Sequence, residues 1–358
     1  MKIAVLGVGL IGGSIGLAAR ARLDAEVAGF DPDRGLADRA IELGAIDSAP
    51  DTVAKAVDGA ELVFCAAPVM ALPGLAAEAL DAAGEDAAVT DVGSVKRDMI
   101  AAVGTDSRFV GGHPLAGAET SGVENAHANL FEGARWYLTP TTKTGGLLYD
   151  RVQRAIADIG ARPQAIEAET HDRLMAAVSH LPHVVANVMV TQAATALSEE
   201  AENLPEVGPS FRDATRVAGA NPAIWGDIFA GNREAVAAEI DAAVARLTEA
   251  AELLRSGGTD DITAWHEQAG QHRRDLIETE IAGGPLHELR VRVPNRPGIV
   301  AEVALELGRA GVNIEDMALY PSADMTSGAI SLYIAGDKEA ERAERLVRDL
   351  GHDVTRAE

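Results

Sequence analysis

Three short stretches hold the residue types best suited to chemistry. The first is Gly112-His113-Pro114-Leu115-Ala116-Gly117, after the apolar run Phe109-Val110-Gly111. That run reads as the end of a buried strand, so His113 is expected where a strand gives way to a loop. Ligands meet a doubly wound sheet at such places, and an imidazole there can exchange a proton near neutral pH. The second is Ser179-His180-Leu181-Pro182-His183, inside a helical stretch from Thr170 to Ala196 that Pro182 should kink. Two histidines three apart can ligate a metal. No cysteine lies near, and close acids such as Asp172 lack ligand spacing, so no metal is expected; histidines satisfied inside a kinked helix are the plainer reading. The third is Asp213-Ala214-Thr215-Arg216, followed by Trp225. The Arg216 guanidinium can clamp a carboxylate bidentately, and Asp213 either orients it or neutralises it as a surface pair.

The elements before His113 read as a dinucleotide cradle. Lys2-Ile3-Ala4-Val5-Leu6 is a buried parallel strand by pattern. Gly7-Val8-Gly9-Leu10-Ile11-Gly12 follows at once, and a helix continues from Ser14 to Arg22. Between a strand and a helix this spacing lets Gly7 turn tightly, Gly9 admit a pyrophosphate and Gly12 pack the helix closely. The free N–H groups at the helix start hold the phosphate. The next strand, Glu26 to Phe30, ends at Asp31, where an acid bonds the ribose hydroxyls and repels a 2′-phosphate. NAD is therefore expected over NADP, with nearby Arg34 moderating the preference. Further alternation, with strands at Leu62–Ala66 and Ala88–Thr90, implies βαβ units and a parallel sheet. Ala67-Pro68 and Gly93-Ser94 then fall at its carboxyl edge beside the cofactor. Ser94 can hold His113 or a substrate hydroxyl, or simply cap the next helix.

Composition narrows the function. The chain has 358 residues, 47% of them hydrophobic, and a formal net charge of −24 from 55 acidic and 31 basic side chains. Such acidity argues against nucleic acid and against an anionic membrane surface. The glycines at 7, 9, 12, 13 and 16 break the apolar start of the chain, and no run of about 20 apolar residues is evident elsewhere, so no membrane span is expected. The single cysteine, Cys65, lies in a strand-like run and reads as a buried inert thiol, with a cytoplasmic location as the default. From Glu167 the strand pattern stops. Glu234 to Leu254 is a long helix whose apolar positions, Ala237, Ile240, Val244, Leu247, Ala251 and Leu254, suit either a dimer seam or an internal bundle. After Gly283-Gly284-Pro285 the order strand, helix, strand, strand, helix recurs within a small α+β module.

These stretches together resemble the prephenate dehydrogenase family with a C-terminal ACT domain. The likeness rests on the Gly7, Gly9, Gly12 motif, the Gly112 to Glu119 segment, Ser179 to His183, Asp213 to Arg216, Arg296-Pro297-Gly298 and Gly311-Val312-Asn313-Ile314. It implies an α/β fold in three domains. A Rossmann-type doubly wound parallel sheet spans 1–166, an all-α substrate and dimerisation domain 167–283, and an ACT domain of βαββαβ-like order 287–358. It implies NAD-dependent oxidative decarboxylation of prephenate to 4-hydroxyphenylpyruvate for tyrosine biosynthesis, in a cytoplasmic homodimer. Carried over by the resemblance, His113 accepts the proton of the ring hydroxyl and Ser94 orients it. Arg216 binds a substrate carboxylate, with His183, Ser179 and His180 nearby and Asp213 and Trp225 behind them. Glu119 matches a position near the pocket. Leu10, Ile11, Ala67 and Pro68 join the glycines and Asp31 around NAD. The ACT domain is expected to bind an amino acid, most readily tyrosine, through Asn295, Pro297, Gly298, Asn313 and Ile314. Arogenate dehydrogenase and a non-catalytic NAD-binding amino-acid sensor are the rival readings. A β-hydroxyacid or imine reductase would need a lysine where this chain has His180 and His183.

Overall fold

The computed structural model describes residues 1–117, 120–200, 207–278, 285–294, 296, 299–314, 316–322 and 326–356. They fall into two units, Met1–Val244 and Ala245–Glu358. Glu119, Asn295, Pro297 and Gly298 lie outside the described residues.

The first unit opens with the expected alternation: β1 (Lys2–Leu6), α1 (Leu10–Leu23), β2 (Glu26–Phe30), α2 (Arg34–Glu42), α3 (Val53–Val57), β3 (Leu62–Cys65), α4 (Leu72–Ala82), β4 (Ala88–Asp91), α5 (Arg97–Val103) and β5 (Phe109–Pro114). After them come β6 (Arg135–Thr139), α6 (Gly146–Asp158) and β7 (Arg162–Ala165). The sheet order is β2-β1-β3-β4-β5-β6-β7. Beyond β2, Ser48 pairs with Ala28 through a single bridge, so an outer strand is reduced to one contact. The central strands are apolar throughout, as burial on both faces requires; Ile3 to Leu6 and Leu62 to Cys65 are all sealed from solvent. Cys65 is a free thiol whose burial pushes its ionisation up, which suits an inert residue.

Two features depart from the parallel sheet the sequence suggests. The β5–β6 pairing is antiparallel, with His113 opposite Tyr137, while β6 and β7 pair parallel. And β5 continues past Gly111, where the apolar run ends, through His113 to Pro114, so the imidazole stands within the last two residues of the strand, just before the loop. Pairing with Tyr137 extends the strand and fixes its register.

From Ala168 the unit is helical: α7 (Ala168–Met175), a π-turn over Ala176–His180, α8 (Leu181–Glu200), α9 (Pro209–Thr215), α10 (Pro222–Gly231) and the start of α11 (Arg233–Ser256). Where Pro182 was expected to kink one helix, a wider turn immediately precedes it. Proline has no N–H to give, and a local change of hydrogen-bond spacing accommodates that. By length and composition the segment Ala168–Ala196 is apolar enough to cross a membrane, contrary to the expectation that no such run occurs, and 22% of its apolar window is buried. Yet its N-terminal part keeps His171, Asp172 and His180 buried.

The second unit holds the rest of α11, α12 (Thr259–Glu278), β8 (Leu286–Pro294), α13 (Ile299–Arg309), β9 (Asp316–Pro321), β10 (Ser327–Ala335), α14 (Asp337–Asp349) and β11 (Asp353–Arg356). The strands form an antiparallel sheet in the order β11-β8-β10-β9, giving βαββαβ. Leu289, Val291 and Val293 alternate along β8 and pack with Val303, Leu307 and Val347 of the helices.

Candidate active site

His113 is positioned from three sides. Its Nδ1 lies 2.9 Å from Nε2 of His171, and His171 Nδ1 lies 2.8 Å from Asp172 Oδ1. The Asp172 carboxylate also accepts the backbone N–H groups of Lys96 and Arg97, each at 2.8 Å, which caps the start of α5. Beneath the strand, the Lys96 ammonium pairs with Asp91 and donates to the carbonyl of Gly112 at 2.7 Å; both side chains are completely buried. Asp91 in turn accepts from Gly93 N at 2.8 Å and Gly112 N at 3.0 Å. The β4–α5 loop and β5 are thus locked together around the residue before His113. Burial, followed by the charges of His171, Lys96 and His180, holds the His113 imidazole well below its ordinary pKa, so it is neutral at physiological pH.

A second group lies along the same helix. Asn232 donates its amide to the Asp172 carbonyl at 2.7 Å and sits 3.2 Å from His180 Nδ1. His180 meets Trp225 edge-on, and Trp225 stacks on His183 with ring centroids 3.4 Å apart. His183, Trp225, Arg216, Asn221, Thr120 and Ser121 line one pocket of about 570 Å³. Burial first, and then the positive charge of Arg216, keep His183 from protonating, while burial lowers His180 to about 4. Among the described residues, a wall that is neutral but for one guanidinium is suited to an anionic, partly apolar ligand.

Contacts therefore run from His113 through His171, Asp172, Asn232, His180 and Trp225 to His183. His183, Arg216 and Trp225 come together as expected. His180 stands behind Trp225 and does not line the pocket. Ser179 is half-buried in the π-turn, and Asp213 is exposed on α9. Ser94 makes no hydrogen bond to any described residue, so its hydroxyl does not cap α5. His171, Asp172, Asn232, Lys96 and Asp91 were not singled out as site residues from sequence. An available signal was helical spacing, since His171 and Ser179 are two turns apart on one helix.

The cradle fits a dinucleotide. Gly7 adopts φ +98°, and a Cβ on Gly12 would stand 1.8 Å from the Gly7 carbonyl oxygen, whereas one on Gly9 would meet nothing within 4 Å. Turn, close packing and open approach fall on the three glycines as the motif requires. Asp31 lies at the end of β2 and accepts from Val8 N at 3.1 Å and Asp33 N at 2.9 Å. Arg34 is tied to Asp38 and to the Ala49 carbonyl, so its guanidinium is already engaged.

Comparison with known proteins places this geometry. Residues 15–165 match the model described as prephenate dehydrogenase, nucleotide-binding domain; 167–268 match prephenate dehydrogenase, dimerization domain; 287–352 match the ACT domain. The cyclohexadienyl dehydrogenase of Zymomonas mobilis is 33% identical over 78% of this chain and 96% of its own. The chain belongs to the prephenate dehydrogenase family. The Bacillus subtilis prephenate dehydrogenase is 29% identical across 96% of this chain and 95% of that protein. A crystal structure of the Aquifex aeolicus prephenate dehydrogenase, in complex with hydroxyphenyl propionate and NAD+, superposes with a TM-score of 0.73 at 32% identity, covering 77% of this chain and 98% of that one. As a prephenate dehydrogenase family member, the protein is an NAD-dependent oxidoreductase.

Proposed function

We propose that the protein oxidises and decarboxylates prephenate to 4-hydroxyphenylpyruvate. The observation that carries this reading is a neutral histidine on β5 joined by continuous contacts to a pocket built from Arg216, His183 and Trp225. Bound NAD would supply the hydride acceptor. His113 would take the proton of the ring hydroxyl as the carbinol carbon is oxidised, and a neutral imidazole is the form that can do so. Electrons from the bond to the ring carboxylate then complete the aromatic ring, and carbon dioxide leaves. Arg216 would hold a substrate carboxylate, Trp225 and His183 would flank it, and the unbonded Ser94 hydroxyl would orient the reacting pair.

Exposed Val188 on α8, and Leu247 and Leu254 on α11, support a homodimer, each more than half accessible. The ACT domain supports amino-acid regulation, with tyrosine as effector; Ile314 packs against its core and Asn313 is exposed beside it. One buried free cysteine is consistent with a cytoplasmic setting. The test is NADH formation at 340 nm with prephenate or arogenate, NAD or NADP, with and without tyrosine. Turnover of prephenate with NAD, altered by tyrosine, is expected. Turnover with arogenate alone would replace the substrate, and no turnover in any mixture would return the sensor reading.

A further inference from the structure

We propose that His171 and Asp172 are positioning residues that fix the tautomer of His113, leaving its Nε2 as the proton-accepting nitrogen. The chemistry of that nitrogen rests on the proposed function, whereas the tautomer follows from the hydrogen bonds around a neutral His171 ring. A carboxylate only accepts, so His171 Nδ1, 2.8 Å from Asp172 Oδ1, carries the proton. The neutral ring then has its lone pair on Nε2, which lies 2.9 Å from His113 Nδ1. His113 Nδ1 must therefore donate, and Nε2 is left bare. No described residue hydrogen-bonds to His113 Nε2, so it is free for a ligand. A second imidazole thus stands between base and carboxylate, extending the arrangement by which an acid orients a catalytic histidine.

Asp172 is itself held firmly. The N–H groups of Lys96 and Arg97 occupy both carboxylate oxygens, and the Asn232 amide holds its carbonyl. His171 is fully buried, with Tyr137 edge-on to its ring at 5.6 Å, which limits rotation. When His113 Nε2 takes a proton, the Nδ1 proton can shift toward His171 Nε2, and the positive charge moves next to the Asp172 carboxylate. Two protons change owner, the one His113 Nε2 receives and the one Nδ1 passes on, and no other atom moves.

The test uses the full-length protein. Nitrogen-15 NMR of histidine-labelled wild type should show His113 protonated at Nδ1 and bare at Nε2. His171→Leu should lower kcat by roughly 10²-fold, the low end of what a general base contributes, with KM changed less than about threefold. His171→Gln should recover part of that loss, because its amide oxygen can accept from His113 Nδ1. Asp172→Asn should keep the tautomer, because its amide oxygen can still accept from His171 Nδ1, while lowering kcat through loss of the carboxylate charge; if it fails to fold, through loss of the α5 cap, the two His171 variants and the wild-type spectrum still decide. A proton on Nε2 in the wild type, or a His171→Leu enzyme within about threefold of wild-type kcat, would overturn the proposal. A loss in which KM and thermal stability move with kcat would mark a merely structural role and overturn it as well. The NMR measurement needs no substrate. A protein with the Nδ1–H tautomer that oxidises neither prephenate nor arogenate would refute the proposed function and leave this inference standing.

Discussion

Replacing Lys96 with Met tests the buried foundation of the site most directly. Lys96 and Asp91 are both wholly inaccessible, and the lysine also holds the Gly112 carbonyl next to His113. Burial lowers the lysine pKa, and the Asp91 charge opposes that shift. Methionine keeps the stem's volume but leaves the Asp91 carboxylate facing only two donors, the N–H groups of Gly93 and Gly112. Removing one partner of a buried pair costs about 3–5 kcal/mol. The unpaired Gly112 carbonyl belongs to the same loss, so the two are not added, and the remaining N–H donors place the expectation near the lower figure, about 3 kcal/mol. At roughly 2–4 °C per kcal/mol for a domain of this size, Tm should fall by about 6–12 °C. Guanidinium unfolding followed by circular dichroism measures the loss at fixed protein concentration. Adding Asp91→Asn should restore part of it, because the uncompensated charge disappears while one acceptor stays. A single variant within about 1 kcal/mol of wild type would refute the reasoning, as would a double variant whose loss equals the sum of the singles.

Other expectations follow from the same geometry. Arg216→Ala should raise KM for prephenate by about 10–10²-fold, the worth of a charged hydrogen bond, with kcat nearly intact; equal losses in both would contradict a binding role. His113→Asn should instead lower kcat by roughly 10²–10⁴, and steady-state kinetics separate the two signatures. Asp31→Ala should weaken NAD by about tenfold in a fluorescence titration and narrow the preference over NADP; an unchanged ratio would remove Asp31 from the ribose site. His180 is held at about 4 by burial, and His113 and His183 are also lowered. The unfolded chain protonates these rings near 6.5, so it binds more protons below that pH, and stability present above 6.5 is lost as pH falls toward 4. Tm measured from pH 7.5 to 4.5 should drop, with a shallower slope in His180→Gln; identical slopes would exclude His180 as a contributor.

Much of the cradle was legible because its logic is local. A glycine spacing between an apolar strand and a helix leaves few alternatives, and Gly7, Gly9, Gly12 and Asp31 occupy the expected places. The strands after His113 were harder. β7, Arg-Pro-Gln-Ala, has no apolar run to announce it and exists because β6 offers an edge to pair with. Lys96 reads by type as a surface residue, and only the fold supplies the carboxylate that permits its burial. His171 is 58 residues from His113, so a contact between them is a property of tertiary structure alone. Asp172, weighed from sequence only as a metal ligand, acts through neighbours no spacing rule connects to it.

The π-turn at Ala176–His180 also sets the angular phase of everything beyond it. His171 and His183 are twelve residues apart. On an uninterrupted α-helix, at about 100° per residue, they would point roughly 120° apart. A π-turn absorbs one extra residue, which reduces the angle to about 20° and brings both rings to one side of the helix. The helix acts as a crank whose throw is one residue. Substitutions within the turn alter packing, and deleting a single residue there would leave His183 eleven residues from His171 on a regular α-helix, an angle of about 20° again. The extra residue is taken up inside the turn itself, so the phase of the two rings is kept while the turn between them widens.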